Sequence, residues 1–260
     1  MASICQPLGV LRGCATIWII LMQGESKMEL QIGVAKVSKY ASRESGDTVE
    51  VIERPGGGLS VVLVDGQRTG RSAKIISNIV ARKAISLLGE GVRDGAVARA
   101  AHDYLQTHRN GQVSADLQLI SVDLQTQTLV ISRNTHCPAL CVRQGVLQVL
   151  QDESEPIGVH PNTKPVIVEL PLEADTYIVA YTDGLVEAGE SAGVKLDLHQ
   201  LVLCAARDHM PAQELADRML SAALLAESSR PGDDISIAVL CILPHQVPGQ
   251  VRRMSISFPI

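Results

Sequence analysis

The chain has 260 residues, 46% hydrophobic and 20% charged, the balance of an ordinary globular protein of one large domain or two small ones. Aromatic residues make up only 2%, which requires an aliphatic core and argues against a base-stacking nucleic-acid platform; the formal net charge of -5 argues against a general nucleic-acid binder as well. Six cysteines, Cys5, Cys14, Cys137, Cys141, Cys204 and Cys241, match no zinc spacing, and a domain of this size needs no disulfide staples, so they read as free thiols of a cytoplasmic protein.

In chain order, residues 1–27 read as an extension outside the fold. The apolar stretch Gly13 to Met22 is too short to span a bilayer, which takes about 20 residues, so membrane association is not expected. Glu29 to Tyr40 alternates as a strand. Asp47 to Glu53 and Leu59 to Asp65 flank the turn cluster Arg54-Pro55-Gly56-Gly57-Gly58 and read as a hairpin. Ser72 to Leu88 places Ile75, Ile76, Ile79, Val80, Ala84 and Leu87 at helical spacing, and Asp94 to His108 follows as a second amphipathic helix. His102 and His108 on that helix are expected to face solvent. Short antiparallel strands are expected at Asp116 to Asp123, Thr128 to Arg133, Ala139 to Arg143 and Val146 to Leu150, then a loop at Pro156 to Pro165 and strands at Val166 to Leu170 and Thr176 to Thr182. Leu196 to Asp208 and Pro211 to Leu225 read as helices, Ile235 to Leu243 as the last strand, and 245–260 as a poorly ordered tail. Strands in groups with inserted helix pairs point to an α+β fold, one domain over 28–244.

Three aspartates carry the chemistry. Ser60 to Asp65-Gly66 and Tyr177 to Asp183-Gly184 are apolar runs that end in an acid and a glycine, and Asp233-Asp234 opens the apolar run Ile235 to Leu240. An acid at the tip of a buried strand is costly unless its charge is compensated. With no Lys or Arg expected nearby in the strands, convergence of these tips at one sheet edge suggests hard divalent cations held by oxygen ligands. The plainer reading of Asp65 and Asp183 is that they cap strand-end turns.

The ordered set Gly46-Asp47, Val64-Asp65-Gly66, Tyr181-Thr182-Asp183-Gly184-Leu185-Val186-Glu187-Ala188 and Gly232-Asp233-Asp234 resembles the metal-dependent protein phosphatases (PPM, type-2C). It is most similar to the bacterial branch typified by stage II sporulation protein E. Arg133-Asn134-Thr135-His136-Cys137-Pro138 is similar to that branch's Asn-Ala-Gly-His-x-Pro segment, and Pro156-Ile157-Gly158 to its Pro-Leu-Gly turn. The resemblance implies an αββα sandwich of two antiparallel sheets flanked by helix pairs, with two Mn2+ or Mg2+ ions at one edge. It implies that Asp65 bridges the two ions, that the Gly66 carbonyl binds one, that Asp183 and Asp233 complete a site, with Asp234 the neighbouring candidate, and that Asp47 supports the second ion. His136 is implied to order its loop. Phosphorylated anti-sigma-factor antagonists or similar regulatory proteins are the implied partners.

Two metals that polarise water and hold phosphate oxygens suit phosphomonoester hydrolysis and require no cysteine or histidine nucleophile. Where relatives carry His or a small residue and then Gly, this chain has Gln67-Arg68-Thr69-Gly70-Arg71. Gln67 cannot act as a general acid. Arg68 reads either as a solvated charge or as a phosphate clamp. A turnover-free binding module with the same fold and a small-metabolite phosphatase are the alternatives.

Overall fold

The layering of the chain follows from strand β3 (Leu59–Gly66). Val61 and Leu63 enter one apolar cluster, Val62 and Val64 another. Successive residues of a strand face opposite sides, so β3 is covered on both faces, and its sequence is apolar throughout rather than alternating. The computed structural model describes residues 28–244 and 252–257. One five-stranded sheet has the order β2 (Thr48–Glu53), β3, β4 (Ala115–Asp123), β5 (Thr128–Asn134), β8 (Val166–Pro171). The other has the order β1 (Met28–Val37), β10 (Ile235–Pro244), β9 (Thr176–Tyr181), β6 (Ala139–Arg143), β7 (Val146–Leu150). Every pairing is antiparallel.

The sheets stack face to face over a cluster that includes Val61, Leu63, Ile120, Ile178, Ala180, Ala238 and Leu240. Helices α1 (Gly70–Gly89) and α2 (Asp94–Arg109) cover the outer face of the β3 sheet. Helices α4 (Leu198–Arg207) and α5 (Ala212–Ala226) cover the outer face of the β10 sheet. This is the four-layer αββα arrangement. α1 buries Ala73, Ile76, Ser77, Val80, Ala81, Ala84 and Leu88, one stripe at three- and four-residue spacing.

Two differences from the sequence reading have local causes. The helix expected from Leu196 begins at Leu198, because Asp197 Oδ1 accepts the Gln200 N–H at 2.9 Å and caps it. The run after β9 turns at once into a short helix, α3 (Asp183–Glu187), followed by one 3-10 turn at Glu190–Ala192, neither of which was anticipated. Leu185 anchors α3 in the outer core. His102 also departs from expectation. It is 1% exposed, and its Nδ1 accepts the Gly158 N–H at 3.0 Å, so it pins the 156–165 loop rather than facing water. His108 does lie outside, stacked on Tyr104 at 5.5 Å.

The extension over residues 1–27 and most of the 245–260 tail lie outside the described residues. Within the tail, Arg252 Nη1 lies 3.2 Å from Glu53 Oε2. Among the described residues no helix is long and apolar enough to cross a membrane. Cys137, Cys141, Cys204 and Cys241 are free thiols.

Gly33 sets how closely α5 approaches β1. A Cβ there would stand 2.3 Å from the Ala212 carbonyl carbon. Gln213 bridges the same crossing, accepting the Val34 N–H through Oε1 and donating Nε2 to the Val34 carbonyl. Gly33→Ala is therefore expected to push α5 off the sheet and cost about 1–3 kcal/mol, as overpacking typically does. Urea unfolding measures this, and an unchanged midpoint would contradict the crossing.

Candidate metal centre and active site

The two sheets end together at one edge, and that edge gathers acids from five strand ends. Asp47 stands immediately before β2, Asp65 is next to last in β3, and Asp116 is second in β4. Asp183 follows β9 as the first residue of α3, and Asp233-Asp234 immediately precede β10. Asp65 and Asp116 face each other in register across the β3–β4 ladder, where like charges repel. The edge forms because both sheets place the relevant ends on one side. Gly66 and Gly46 let it close: a Cβ on Gly66 would stand 2.1 Å from the Ala73 carbonyl oxygen, and one on Gly46 would stand 2.6 Å from the Ala73 Cβ. The first turn of α1 thus packs against both acid-bearing loops.

Hydrogen bonds fix the individual carboxylates. Asp47 is 1% exposed; its Oδ2 accepts from Thr182 Oγ1 at 3.1 Å, while its Oδ1 is buried with no partner. Thr182 also accepts the Ser236 N–H at 3.0 Å, which ties Asp47 to the ends of β9 and β10. Both oxygens of Asp234 are engaged by backbone: Oδ1 accepts Lys39 N–H at 2.8 Å and Oδ2 accepts Gly46 N–H at 2.7 Å. Asp234 thereby clamps the loop that carries Asp47. Asp233 Oδ1 accepts the Asp234 N–H at 2.8 Å and the residue is partly exposed. Gln118 Nε2 donates to the Tyr181 carbonyl at 2.8 Å across the sandwich, which steadies the strand end before Asp183.

The electrostatics follow from this crowding. Burial, and then the charges of Asp47, Asp183 and Asp116, push the Asp65 carboxyl up to about 10. Burial pushes Asp47 up to about 6, with the Ser236 hydroxyl and Lys36 acting against it. Asp183 is raised by burial of its carboxyl and by Asp233, although the residue is solvent-exposed on one side. Asp116 is raised by burial, partly offset by a hydrogen bond from Thr135 Oγ1.

The expectation of strands free of nearby cations needs correcting. Lys36 in β1 and Lys74 in α1 both donate Nζ to the Asp47 backbone carbonyl, at 2.5 and 2.7 Å. Burial and Lys74 lower Lys36 to about 8. These ammonium groups bind the backbone of Asp47 and leave its Oδ1 unpartnered. As the side chains stand, no group of three or more His, Cys, Asp or Glu among the described residues encloses a cation. The donor set nevertheless fits hard divalent ions: carboxylates raised by burial and then by neighbouring acids, one with a buried oxygen that has no hydrogen-bond partner, at an edge open through Asp183 and Asp233.

Asp47, Asp65, Gly66, Asp183, Asp233 and Asp234 are therefore brought together. Arg68 is set apart from them. It is exposed, has φ of +81°, and lines a separate cleft with Arg109. Gln67 is occupied in holding its loop, accepting the Ser114 N–H at 3.2 Å while its own N–H donates to the Ser114 carbonyl at 3.2 Å. His136 is exposed, near Asp116. The loop around it is organised by Arg133, 1% exposed, which donates to the Cys137 and Asp152 carbonyls. Burial pushes the Cys137 thiol up to about 12, so it is no nucleophile at neutral pH. The sequence reading missed Asp116, Thr182, Lys36 and Lys74. An acid at the start of β4 was visible in the sequence, but its register opposite Asp65 spans two intervening helices.

No curated protein matches the chain. Among solved structures the fold is similar to that of the PP2C phosphatase domain of SpoIIE from Bacillus subtilis with a fragment of its regulatory domain, with a TM-score of 0.69 at 19% identity over 82% of this chain and 63% of that one. It is similar to the RsbU and RsbW domains of a Mycobacterium tuberculosis protein, with a TM-score of 0.69 at 18% identity over 84% of this chain and 61% of that one. The chain thus spans about three fifths of the length of those two structures. The catalytic domain of PstP, a serine/threonine phosphatase of M. tuberculosis crystallised with two manganese ions, aligns with a TM-score of 0.63 at 15% identity, over 84% of this chain and all of that one. The sequence profile of stage II sporulation protein E matches residues 55–243, well over half of the chain. By that match, together with the helix-flanked pair of antiparallel sheets, the chain belongs to the stage II sporulation protein E (SpoIIE) family.

Proposed function

We propose that the chain is a cytoplasmic serine/threonine protein phosphatase that uses two Mn2+ or Mg2+ ions to release phosphate from a regulatory protein of the anti-sigma-factor-antagonist type. The observation that carries this reading is the buried Oδ1 of Asp47, without a hydrogen-bond partner, beside an Asp65 carboxyl raised by burial and by the charges of Asp47 and Asp183. Family membership and the two manganese ions in PstP support it, and the RsbU and RsbW domains joined in one relative support a regulatory-protein substrate.

Asp65 would be shared by both ions, Gly66 would offer its carbonyl, Asp183 and Asp233 would complete one site, and Asp47 would support the other. When bound, such ions neutralise phosphoryl charge and lower the pKa of an attacking water. The protein's own part is positional. Thr182 aims the Asp47 carboxylate, and Asp234 holds the Gly46 loop through its two backbone contacts. In this reading Asp234 serves mainly as a positioning residue, with no direct ligation required of it. Cys137 stays protonated and Gln67 has no proton to give, so neither forms a covalent intermediate nor acts as a general acid. Arg68 is the substrate-binding residue of this reading.

Three variants test the acids. Asp65→Ala is expected to leave less than about a tenth of Mn2+-dependent phosphate release from p-nitrophenyl phosphate, because two cations lose the anion between them. Asp183→Asn and Asp233→Asn are expected to lose most activity, since an amide keeps the shape and drops the charge. Asp234→Asn is expected to be milder in rate, and to lower stability by about 1–3 kcal/mol where its new N–H groups confront a backbone donor. Should Asp234→Asn prove the most damaging to turnover at saturating Mn2+, the roles of the acidic pair are reversed.

Stability gives a second test that needs no turnover. A carboxyl whose pKa is higher folded than unfolded binds its proton more tightly in the fold, so its effect is most favourable below the unfolded value near 3.8 and is lost as pH rises towards the folded value. For Asp47 that window runs from about 4 to about 6, and for Asp65 from about 4 to about 10. Chelator-treated protein is therefore expected to melt at lower temperature at pH 8 than at pH 5.5, and Mn2+ is expected to raise the melting temperature more at pH 8. Asp65→Asn should melt higher than wild type without metal at pH 8 and gain little from Mn2+. Scanning fluorimetry reads all three, and a Mn2+ shift in Asp65→Asn equal to that of wild type would remove Asp65 from the cation site.

A further inference from the structure

Beside the acidic edge lies a second concavity that the phosphate chemistry leaves unused. Arg68, Ser72, Ile75, Ile76, Arg109 and Val113 line a cleft of about 220 Å3. Four segments build it: the loop after β3, the first two turns of α1, the last turn of α2 and the lead into β4. Its charged lining residues are two arginines, and no acid is among the lining residues. Arg109 Nε is buried without a hydrogen-bond partner. The Ser72 hydroxyl is turned to the Thr69 carbonyl at 3.2 Å, which leaves the arginines as the donors of the cleft. Arg68 is held at φ of +81°, a conformation that favours glycine. Ile75 is 45% exposed at the rim.

The cleft is adjacent to the proposed cation site and distinct from it. On α1, Ala73 packs against Gly46 and Gly66 at the acidic edge. Ser72, Ile75 and Ile76 sit on the neighbouring face and line the cleft. Arg68 lies two residues beyond Gly66, so a chain crossing the edge passes the cleft within a few residues, at about 3.3–3.6 Å per extended residue. The protein carries a net charge of -5 and a cluster of acids at the edge, which repels an acidic phosphoprotein. A cationic concavity at the entrance is complementary to such a partner.

We propose that this cleft takes an anionic side chain of the substrate protein, a Glu, an Asp or a second phosphorylated residue, lying within a few residues of the scissile phosphoserine. The inference rests on the phosphatase reading above and adds to it a rule of substrate choice: Arg68 and Arg109 read a flanking anion while the scissile phosphate lies at the carboxylate edge. Planar guanidinium forks suit carboxylate and phosphate alike.

The test uses the full chain with Mn2+ and a set of phosphoserine nonapeptides, each with one Glu moved through the four positions on either side and Gln as its control. At one or two neighbouring positions Glu is expected to raise kcat/KM about ten-fold over Gln, equivalent to about 1.4 kcal/mol, with the gain shrinking as salt rises. Arg109→Gln should bring that ratio to near one, and Arg109→Glu should transfer the preference to Lys at the same position, a result that a merely damaged fold would not give. A second phosphoserine at the preferred position shows which anion is favoured, and a gain with either supports the cleft. No positional preference in wild type, or an unchanged ratio in Arg109→Gln, overturns the inference. Failure of the phosphatase reading looks different, because wild type then releases no phosphate from any peptide. Anisotropy of fluorescent Glu and Gln peptides on Asp65→Ala still decides the cleft in that case: an Arg109-dependent preference supports it and equal binding overturns it.

Discussion

Burial of neighbouring carboxylates at the common end of two sheets is the constraint around which the rest of the molecule is arranged. Moving even one ionised carboxylate out of water costs several kcal/mol, against a total stability of about 5–15 kcal/mol for a typical domain. Asp47, Asp65, Asp116 and Asp183 are all raised by their surroundings. Such a group is tolerated because the strands that carry it are held elsewhere. β3 and β10 are buried on both faces, and three aliphatic clusters lock the four layers together. The acids sit at or next to strand ends, Asp65 and Asp116 in the last rungs of the β3–β4 ladder and Asp47, Asp183, Asp233 and Asp234 just outside their strands. The fold supplies the rigidity, and the edge stores unfavourable electrostatics that a bound divalent cation would relieve.

The polar contacts around Asp47 show how two separate sheets make one site. Thr182, which follows β9, donates its hydroxyl to Asp47 just before β2 of the other sheet and accepts the Ser236 N–H of β10. Asp234 reaches from the same end to Gly46. Lys36 and Lys74 hold the Asp47 carbonyl and leave its carboxylate free on one side. A positive charge is thus placed on the backbone of the loop and kept off the oxygen that a cation would need. Were either ammonium bonded to Oδ1 instead, the orphaned acceptor would vanish and with it the main reason to look for an ion.

Much of this was readable in the sequence, and the unread part has a physical cause. Strands such as Leu59–Gly66 and Ile235–Pro244 announce themselves as aliphatic runs too short for helices, and α1 by its stripe from Ala73 to Leu88. The acids of the site were legible because glycine or a second acid marks each one. Asp116 was not, since only the β3–β4 register sets it opposite Asp65, and register between strands separated by two helices leaves no local trace. His102 was misplaced for a related reason. A histidine on a helix has no periodic signature of its own, and its burial depends on the 156–165 loop folding back over α2. α3 was missed because five residues are too few to show a helical period.

The loop from Gln67 to Gly70 links the site to the surface beyond it. Gln67 is committed to Ser114 through its side chain and its backbone, so the loop is anchored to β4 and Arg68 is presented outward at a backbone angle that disfavours it. That conformation costs an L-residue about 1–2 kcal/mol relative to glycine. Arg109 arrives at the same cleft from the last turn of a different helix, where its charge also complements the helix dipole. The carboxylate edge and the arginine cleft share α1 as a common wall, Ala73 on one side and Ser72, Ile75 and Ile76 on the other. The edge and the cleft therefore share one structural element, the first two turns of α1. A ligand that shifts the first turn of α1 also shifts the element packed on Gly46 and Gly66, the two glycines beside Asp47 and Asp65.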